Sequence, residues 1–193
     1  MSKPPRRPEP QQIYQLTVEL QHIEPRIWRT ILVPDTLKLA RLDLVVQAAF
    51  GWTNSHLHEW RIGSARYGIP DPEWGTQEDL IDERKCTVGK VLGDDVAEFT
   101  YNYDFGDGWE HRITVDQRSA VEPERNAWPM CIAGANACPP EDVGGPPGYM
   151  DFLQAMRDRT HEEHLQVWRW CGGPFDPAAF SLNDANRAIR DLR

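Results

Sequence analysis

The sequence lacks any long hydrophobic run. None of its apolar stretches approaches the roughly 20 residues that a helix needs to cross a bilayer. The first residues, MSKPPRRPEPQQ, contain no apolar segment of the kind found in secretory signals. We therefore expect a cytoplasmic protein without membrane contact, in which residues 1–12 form a disordered tail and residues 13–193 form a single domain.

Cysteine is scarce and lacks the close pairing of a zinc finger. The four cysteines include no CxxC pair, and without an export signal they are expected to be reduced. Cys131 and Cys138 are separated by six residues. The sequence leaves three states open for these two: free thiols, joint metal ligands or a disulfide.

Common signatures of nucleotide and nucleophile chemistry are also missing. There is no GxxxxGK[ST] phosphate loop, no GxGxxG after a strand and no GxSxG nucleophile elbow. The HEEH stretch at 161–164 is one residue shorter than the HExxH motif, so we interpret it as a solvated helix face. Phosphoryl-transfer, dinucleotide and serine-nucleophile chemistries therefore have no support in the sequence.

Basic residues are few in the acidic middle of the chain. Residues 71–110 contain 12 acidic and 3 basic residues, which accounts for the whole formal net charge of −9. Because DNA binding depends on Lys and Arg contacts to phosphates, we expect weak or no nucleic-acid binding by the chain alone. A basic protein is the partner that this charge favours.

Alternating and helical patterns predict the fold. Apolar residues alternate over 14–20 and 27–33, take helical spacing over 42–50 up to Gly51, and continue as a strand over 56–62. The order of hairpin, helix and strands is typical of an α+β fold with a mixed or antiparallel sheet, similar to a β-grasp. Three helices are predicted after residue 148.

The stretch YDFGDGWEH, at 103–111, predicts a hairpin turn. A three-residue loop at 106–108 pairs Phe105 with Trp109 and places the flanking aromatic residues on one face. This register sets Asp104 opposite Glu110, and like charges across a strand pair are destabilising. Either Arg112 relieves them as a structural neighbour, or a bound metal or a basic partner residue does so.

Several side chains near this turn are candidates for binding. His111 would face Tyr103 on the aromatic side, where a histidine is more often part of the core than a ligand. His56 and His58 have the spacing of two metal ligands on one strand face, but they need a further ligand from elsewhere. The candidate metal ligands are Asp104, Glu110, His56 and His58.

A Gly- and Pro-rich segment spans 128–148. We expect it to form a long loop that packs beside the 103–111 turn, and loops of this length are usually functional or disordered. Either this loop frames a functional surface, with Glu141 and Asp142 held by the preceding prolines, or it only covers the aromatic face. The candidate binding residues are Asp104, Asp107, Trp109, His111, Glu141 and Asp142.

Three motifs together resemble a known family. YDFGDGWEH (103–111), the C-x6-CPPED and GGPPGY segment (131–149) and WTNSHLHEW (52–60) are similar to the plasmid Ri ORF-3-like family, also called the insertion-element passenger TnpR-like domain. The similarity covers residues from about 14 to 153. It implies an α+β fold and an association with mobile elements, including a link to transposition, although no recombinase-type serine motif is present.

Two functions of different classes follow from these patterns. The first is a non-catalytic accessory or interaction domain whose acidic middle meets a basic protein. The second is a metal-dependent enzyme, similar to a hydrolase, that uses the carboxylates and histidines of the shared motifs. A divalent metal is the candidate cofactor in the second case.

Overall fold

The computed structural model describes residues 11–70, 79–121 and 129–192. Within these residues, eight strands form one sheet in the spatial order β5-β4-β3-β6-β7-β1-β2-β8. The strands are β1 (Gln12–Leu20), β2 (Ile27–Pro34), β3 (His58–Ile62), β4 (Ala65–Gly68), β5 (Leu80–Asp82), β6 (Glu98–Tyr103), β7 (Trp109–Ala120) and β8 (Met130–Ala135). Neighbouring strands are antiparallel, except that β4 and β5 are parallel. The expected α+β fold with a mixed sheet is confirmed.

Helices follow the first hairpin and the last strand. They are α1 (Leu39–Phe50), α2 (Val88–Leu92), α3 (Gly145–Arg157), α4 (His164–Trp170) and α5 (Leu182–Asp191), with a 3-10 turn at Glu83–Lys85. Gly51 ends α1 in a left-handed conformation, with φ of 93°, and its amide donates to the Gln47 carbonyl. The predicted order of hairpin, helix and strands and the C-terminal helices are confirmed.

The core lies between the sheet and the helices. Leu16 and Val18 of β1 alternate inward because strand side chains point to opposite faces, while Leu42 and Val46 of α1 share one helix face. All four belong to one buried cluster. In the described part of the chain, none of the helices is long and apolar enough to cross a membrane.

The central hairpin has a longer turn than predicted. Tyr103 pairs with Trp109, so the turn contains residues 104–108, and Phe105 is exposed. The expected pairing of Asp104 with Glu110 is wrong, because Glu110 pairs with Asn102. A shift of two residues leaves the inward face unchanged, so the aromatic pattern alone does not distinguish the two registers.

Arg112 does not have the expected role either. Its guanidinium lies 3.0 Å from Glu19 and 3.9 Å from Glu98, and not beside Asp104. These partners lie on the strands that flank β7, namely β1 and β6. Arg112 therefore neutralises charge across the middle of the sheet, away from the hairpin turn.

The predicted loop at 128–148 is partly regular. Residues 130–135 form β8, which pairs with β2, and α3 begins at Gly145, so the irregular part that follows β8 is 136–144. All prolines of the segment lie outside β8, so every residue of this strand keeps a backbone amide that can pair with β2. Cys131 and Cys138 are free thiols. Residues 1–10 of the predicted tail lie outside the described residues, and its last residue, Gln12, is the first residue of β1.

Candidate functional site

Three loops meet at one end of the central hairpin. The loop after α1 holds His56, the turn between β6 and β7 holds Asp104, and the loop after β8 holds Asp142. One ligand atom from each of these residues lies within 4.8 Å of the others. Residues that are far apart in the sequence thus form a cluster of one imidazole and two carboxylates, which we call the His-Asp-Asp cluster.

The imidazole of His56 lies between the two carboxylates. Its Nε2 atom is 3.1 Å from Oδ1 of Asp142 and 3.7 Å from Oδ2 of Asp104. The Asp104 side chain is only 10% exposed, whereas that of Asp142 is 71% exposed. The cluster therefore has one buried side and one side open to solvent.

The backbone of Asp104 directs its carboxylate into the cluster. Asp104 has a left-handed conformation, with φ of 53°, which ends β6 and starts the turn. Its Oδ1 atom accepts from the amide of Gly106 at 2.9 Å and that of Asp107 at 3.3 Å. One oxygen thus stabilises the turn, and the other oxygen is the one nearest His56.

Asp107 joins the turn to the loop that carries Asp142. Its Oδ2 atom accepts from the amide of Gly144 at 3.1 Å. A Cβ atom at Gly145 would lie 2.2 Å from the Asp107 carbonyl oxygen, so only glycine allows this close approach. The expected packing of the loop beside the turn is therefore confirmed.

Glu141 joins the same loop to the one that carries His56. Its Oε1 atom accepts from the Thr53 amide at 2.8 Å and from the Tyr103 hydroxyl at 3.1 Å. The Tyr103 hydroxyl also accepts from the Ser55 amide at 3.0 Å. Burial raises the pKa of Tyr103 well above its ordinary value, so the hydroxyl stays protonated as a donor. Glu141 therefore positions the loop beside His56.

Trp109 and His111 lie in the core beneath the cluster. Both are fully buried, and His111 contacts Phe50 and Trp52 edge to face at 5.2 and 5.3 Å between ring centroids. Nδ1 of His111 is 3.2 Å from the Tyr101 carbonyl oxygen, and burial lowers its pKa to about 4. The structure thus places these two candidates in the packing and not at the open side of the cluster.

His58 belongs to a different group of side chains from His56. Its Nε2 atom is 3.0 Å from Glu83, and its Nδ1 atom is 3.4 Å from Asp43. Burial alone lowers the pKa of His58, but the hydrogen bond to Glu83 and the charge of Asp43 raise it above the ordinary value. The two histidines line one small cavity of about 200 Å³ but point to separate acidic partners.

This second group contains residues that the motifs did not reveal. Glu83 also accepts from the Trp60 indole at 2.8 Å, and Asp43 accepts from the Tyr101 hydroxyl. Burial raises the pKa of Asp43. An acid at the apolar spacing of α1 was the available signal for Asp43, whereas nothing in the acidic stretch distinguished Glu83 from its neighbours.

Glu110 is exposed on the outer face of the hairpin. It shares a shallow cleft there with Glu59, Arg61 and Arg66 and with the edge of Asp104. Both arginines donate to Glu59, so this face already contains its own ion pairs. Glu110 is not a member of the His-Asp-Asp cluster.

Two proteins are similar to this chain over nearly its whole length. An uncharacterised protein, y4hQ of Sinorhizobium fredii (strain NBRC 101917 / NGR234), is 44% identical over 183 residues, which cover 93% of this chain and 92% of the relative. The crystal structure of MM3350, a protein of unknown function from Methanosarcina mazei Go1, matches with a TM-score of 0.83 and 30% identity, covering 91% of this chain and 98% of the other.

The model of one protein family matches residues 12–184. This range includes all three motifs on which the resemblance depends, and it extends that resemblance into the C-terminal helices. The chain belongs to the plasmid pRiA4b ORF-3-like protein family.

Proposed function

We propose that the protein holds one divalent metal ion between His56, Asp104 and Asp142, and that this ion activates water for a hydrolytic reaction. The observation behind this proposal is the convergence of one imidazole nitrogen and two carboxylate oxygens within 4.8 Å. A cation would offset the repulsion between the two carboxylates and would replace the water that Asp104 loses on burial.

The state of His56 supports a metal as the ligand. Its Nε2 atom is buried, and it makes no hydrogen bond with any described residue, although Asp142 lies within 3.1 Å. A buried polar atom left without a partner costs about 1–3 kcal/mol. Neutral imidazole is a common metal ligand, so coordination would satisfy this nitrogen.

The ligand types narrow the choice of ion. One imidazole with two carboxylates is a ligand set that both Mn²⁺ and Zn²⁺ accept. Three protein ligands leave coordination positions for water or substrate, and the exposed carboxylate of Asp142 marks the open side. A metal in such an open site lowers the pKa of its bound water, which supplies the nucleophile of a hydrolase.

A hydrolysis assay tests the reaction class. Chelator-treated protein should have no activity on bis(p-nitrophenyl) phosphate or p-nitrophenyl acetate, and Mn²⁺ or Zn²⁺ should restore it. Asp142→Asn should abolish the restored activity, whereas Glu162→Gln, at an exposed acid outside the cluster, should retain it. Metal binding without metal-dependent turnover of either ester would contradict the hydrolytic part of the proposal.

We also propose an accessory role for the protein in a mobile element, with a link to transposition, in the cytoplasm. The family description, which refers to an open reading frame of a plasmid, supports this context. Transposition frequency of a cognate element, measured with the wild-type gene and with Asp142→Asn, tests the link. Equal frequencies with the wild-type gene and with no gene would contradict it.

A further inference from the structure

A cleft of about 420 Å³ opens beside the His-Asp-Asp cluster, between α3 and α4. Asp142 belongs to both, so the cleft begins where the cluster is exposed. The other side chains that decide its chemistry are Asp151, Phe152, Glu163 and Trp170.

The rim of the cleft is acidic. Asp142, Asp151 and Glu163 contribute three carboxylates, and no Lys or Arg is among the described residues that line the cleft. Asp151 and Glu163 form no ion pair with any residue in the described part of the chain. An entering cation would therefore meet unneutralised negative charge on more than one side.

The floor of the cleft is aromatic and apolar. Phe152 is buried, and its ring contacts Trp170 in an edge arrangement, with 5.9 Å between centroids. Trp170 is 50% exposed, so part of its indole surface is available to a ligand. Lys and Arg side chains combine an apolar stem with a cationic end, and a cation also gains from lying over an indole face.

We infer that this cleft binds a Lys or Arg side chain of a basic polypeptide and brings that polypeptide to the metal. The second half of the inference rests on the proposed function, because it needs a metal at Asp142. Charge complementarity identifies the occupant: the rim repels phosphates, while the aromatic floor fits the apolar stem of a basic side chain. We therefore place the binding surface at the α3–α4 cleft.

Binding of pentalysine to the full chain, followed by isothermal titration calorimetry at physiological salt, tests the cleft. The double variant Asp151→Asn/Glu163→Gln should weaken binding roughly ten-fold. The double variant Glu162→Gln/Asp191→Asn removes the same charge from exposed positions outside the cleft, and it should change affinity less than about two-fold. Equal losses in the two variants would show that only net charge matters and would overturn the inference.

The aromatic floor has a matched control on the same helix. Trp170→Ala should weaken pentalysine binding, whereas Trp168→Ala, an exposed residue that does not line the cleft, should not. Spermidine that competes as well as pentalysine would overturn the polypeptide as the occupant.

A Mn²⁺ titration of the same variants separates this inference from the proposed function. Asp151→Asn/Glu163→Gln should keep the wild-type Mn²⁺ affinity, because neither residue belongs to the cluster. Peptide binding without Mn²⁺ binding would refute the metal site alone, and Mn²⁺ binding without peptide binding would refute the cleft alone.

Discussion

Asp107 accepts a hydrogen bond of 3.1 Å from the amide of Gly144, which fixes the loop after β8 against the turn of the central hairpin. Through this bond the fold determines the position of Asp142, two residues before the glycine. The geometry of the His-Asp-Asp cluster therefore depends on how closely two backbone segments approach each other.

Replacement of Gly145 should show that dependence. In Gly145→Ala the new Cβ would meet the Asp107 carbonyl oxygen at 2.2 Å, at a φ of 69°. We expect a loss in the free energy of unfolding of about 3 kcal/mol, since overpacking adds to the backbone strain. Urea denaturation measures it.

Gly172→Ala is the matched control for this change. Gly172 also has a positive φ, 83°, but a Cβ there would have no neighbour within 4 Å. It should cost only the backbone strain, about 1 kcal/mol. Equal losses in the two variants would mean that the close approach at Asp107 does not matter for stability.

His111 should make the protein less stable in mild acid. Its pKa is about 4 in the folded state and 6.5 when unperturbed, so between these values the unfolded chain binds more protons than the folded one. Stability therefore rises with pH across this window and falls as the pH is lowered. The loss due to His111 should be about 2 kcal/mol between about pH 7.5 and about pH 5.

His111→Asn isolates this contribution, because the asparagine amide keeps a donor for the Tyr101 carbonyl but does not titrate. The variant should be less stable at neutral pH, yet its stability should fall less on acidification than that of the wild type. Urea denaturation at the two pH values measures both. An identical decrease in the two proteins would contradict the assignment to His111.

DNA binding by the chain alone should be weak. Residues 71–110 contain twelve acidic and three basic residues. Nonspecific DNA binding requires basic side chains that neutralise phosphates, so this charge opposes it. Fluorescence anisotropy with a labelled duplex at physiological salt should give a dissociation constant weaker than about 10⁻⁶ M. Sub-micromolar affinity that persists at this salt concentration would contradict the prediction.

Periodicity revealed most of the fold but not its registers. The alternation of aromatic and polar residues before the turn predicted β6, but this pattern continues to Phe105, two residues past the end of the strand. The strand ends earlier because Asp104 has a left-handed backbone conformation. β8 was missed because a short strand in a Gly- and Pro-rich segment forms only through its pairing with β2. Such pairing is a tertiary effect that local propensity does not contain.

The candidate site was partly predictable for a similar reason. Motif reading selected His56 and Asp104 as metal ligands and Asp142 only as a binding residue, and the structure brings these three together. It also proposed His58 and Glu110 as metal ligands, and these two lie outside the cluster. β3 begins only at His58, so the HxH pair does not share a regular strand, and the two rings turn to different partners. Where a side chain points just outside a strand depends on loop contacts such as that of Glu141 with Thr53.

Calorimetric titration of the chelator-treated protein with Mn²⁺ tests the metal site most directly. The proposal predicts one ion per chain, and it predicts that His56→Ala and Asp142→Asn each lower the affinity at least ten-fold, while Glu162→Gln binds as the wild type does. Asp142→Asn should change the stability of the metal-free protein by less than about 0.5 kcal/mol, because the side chain is exposed. Absence of binding, or binding that survives both substitutions, would contradict the metal site.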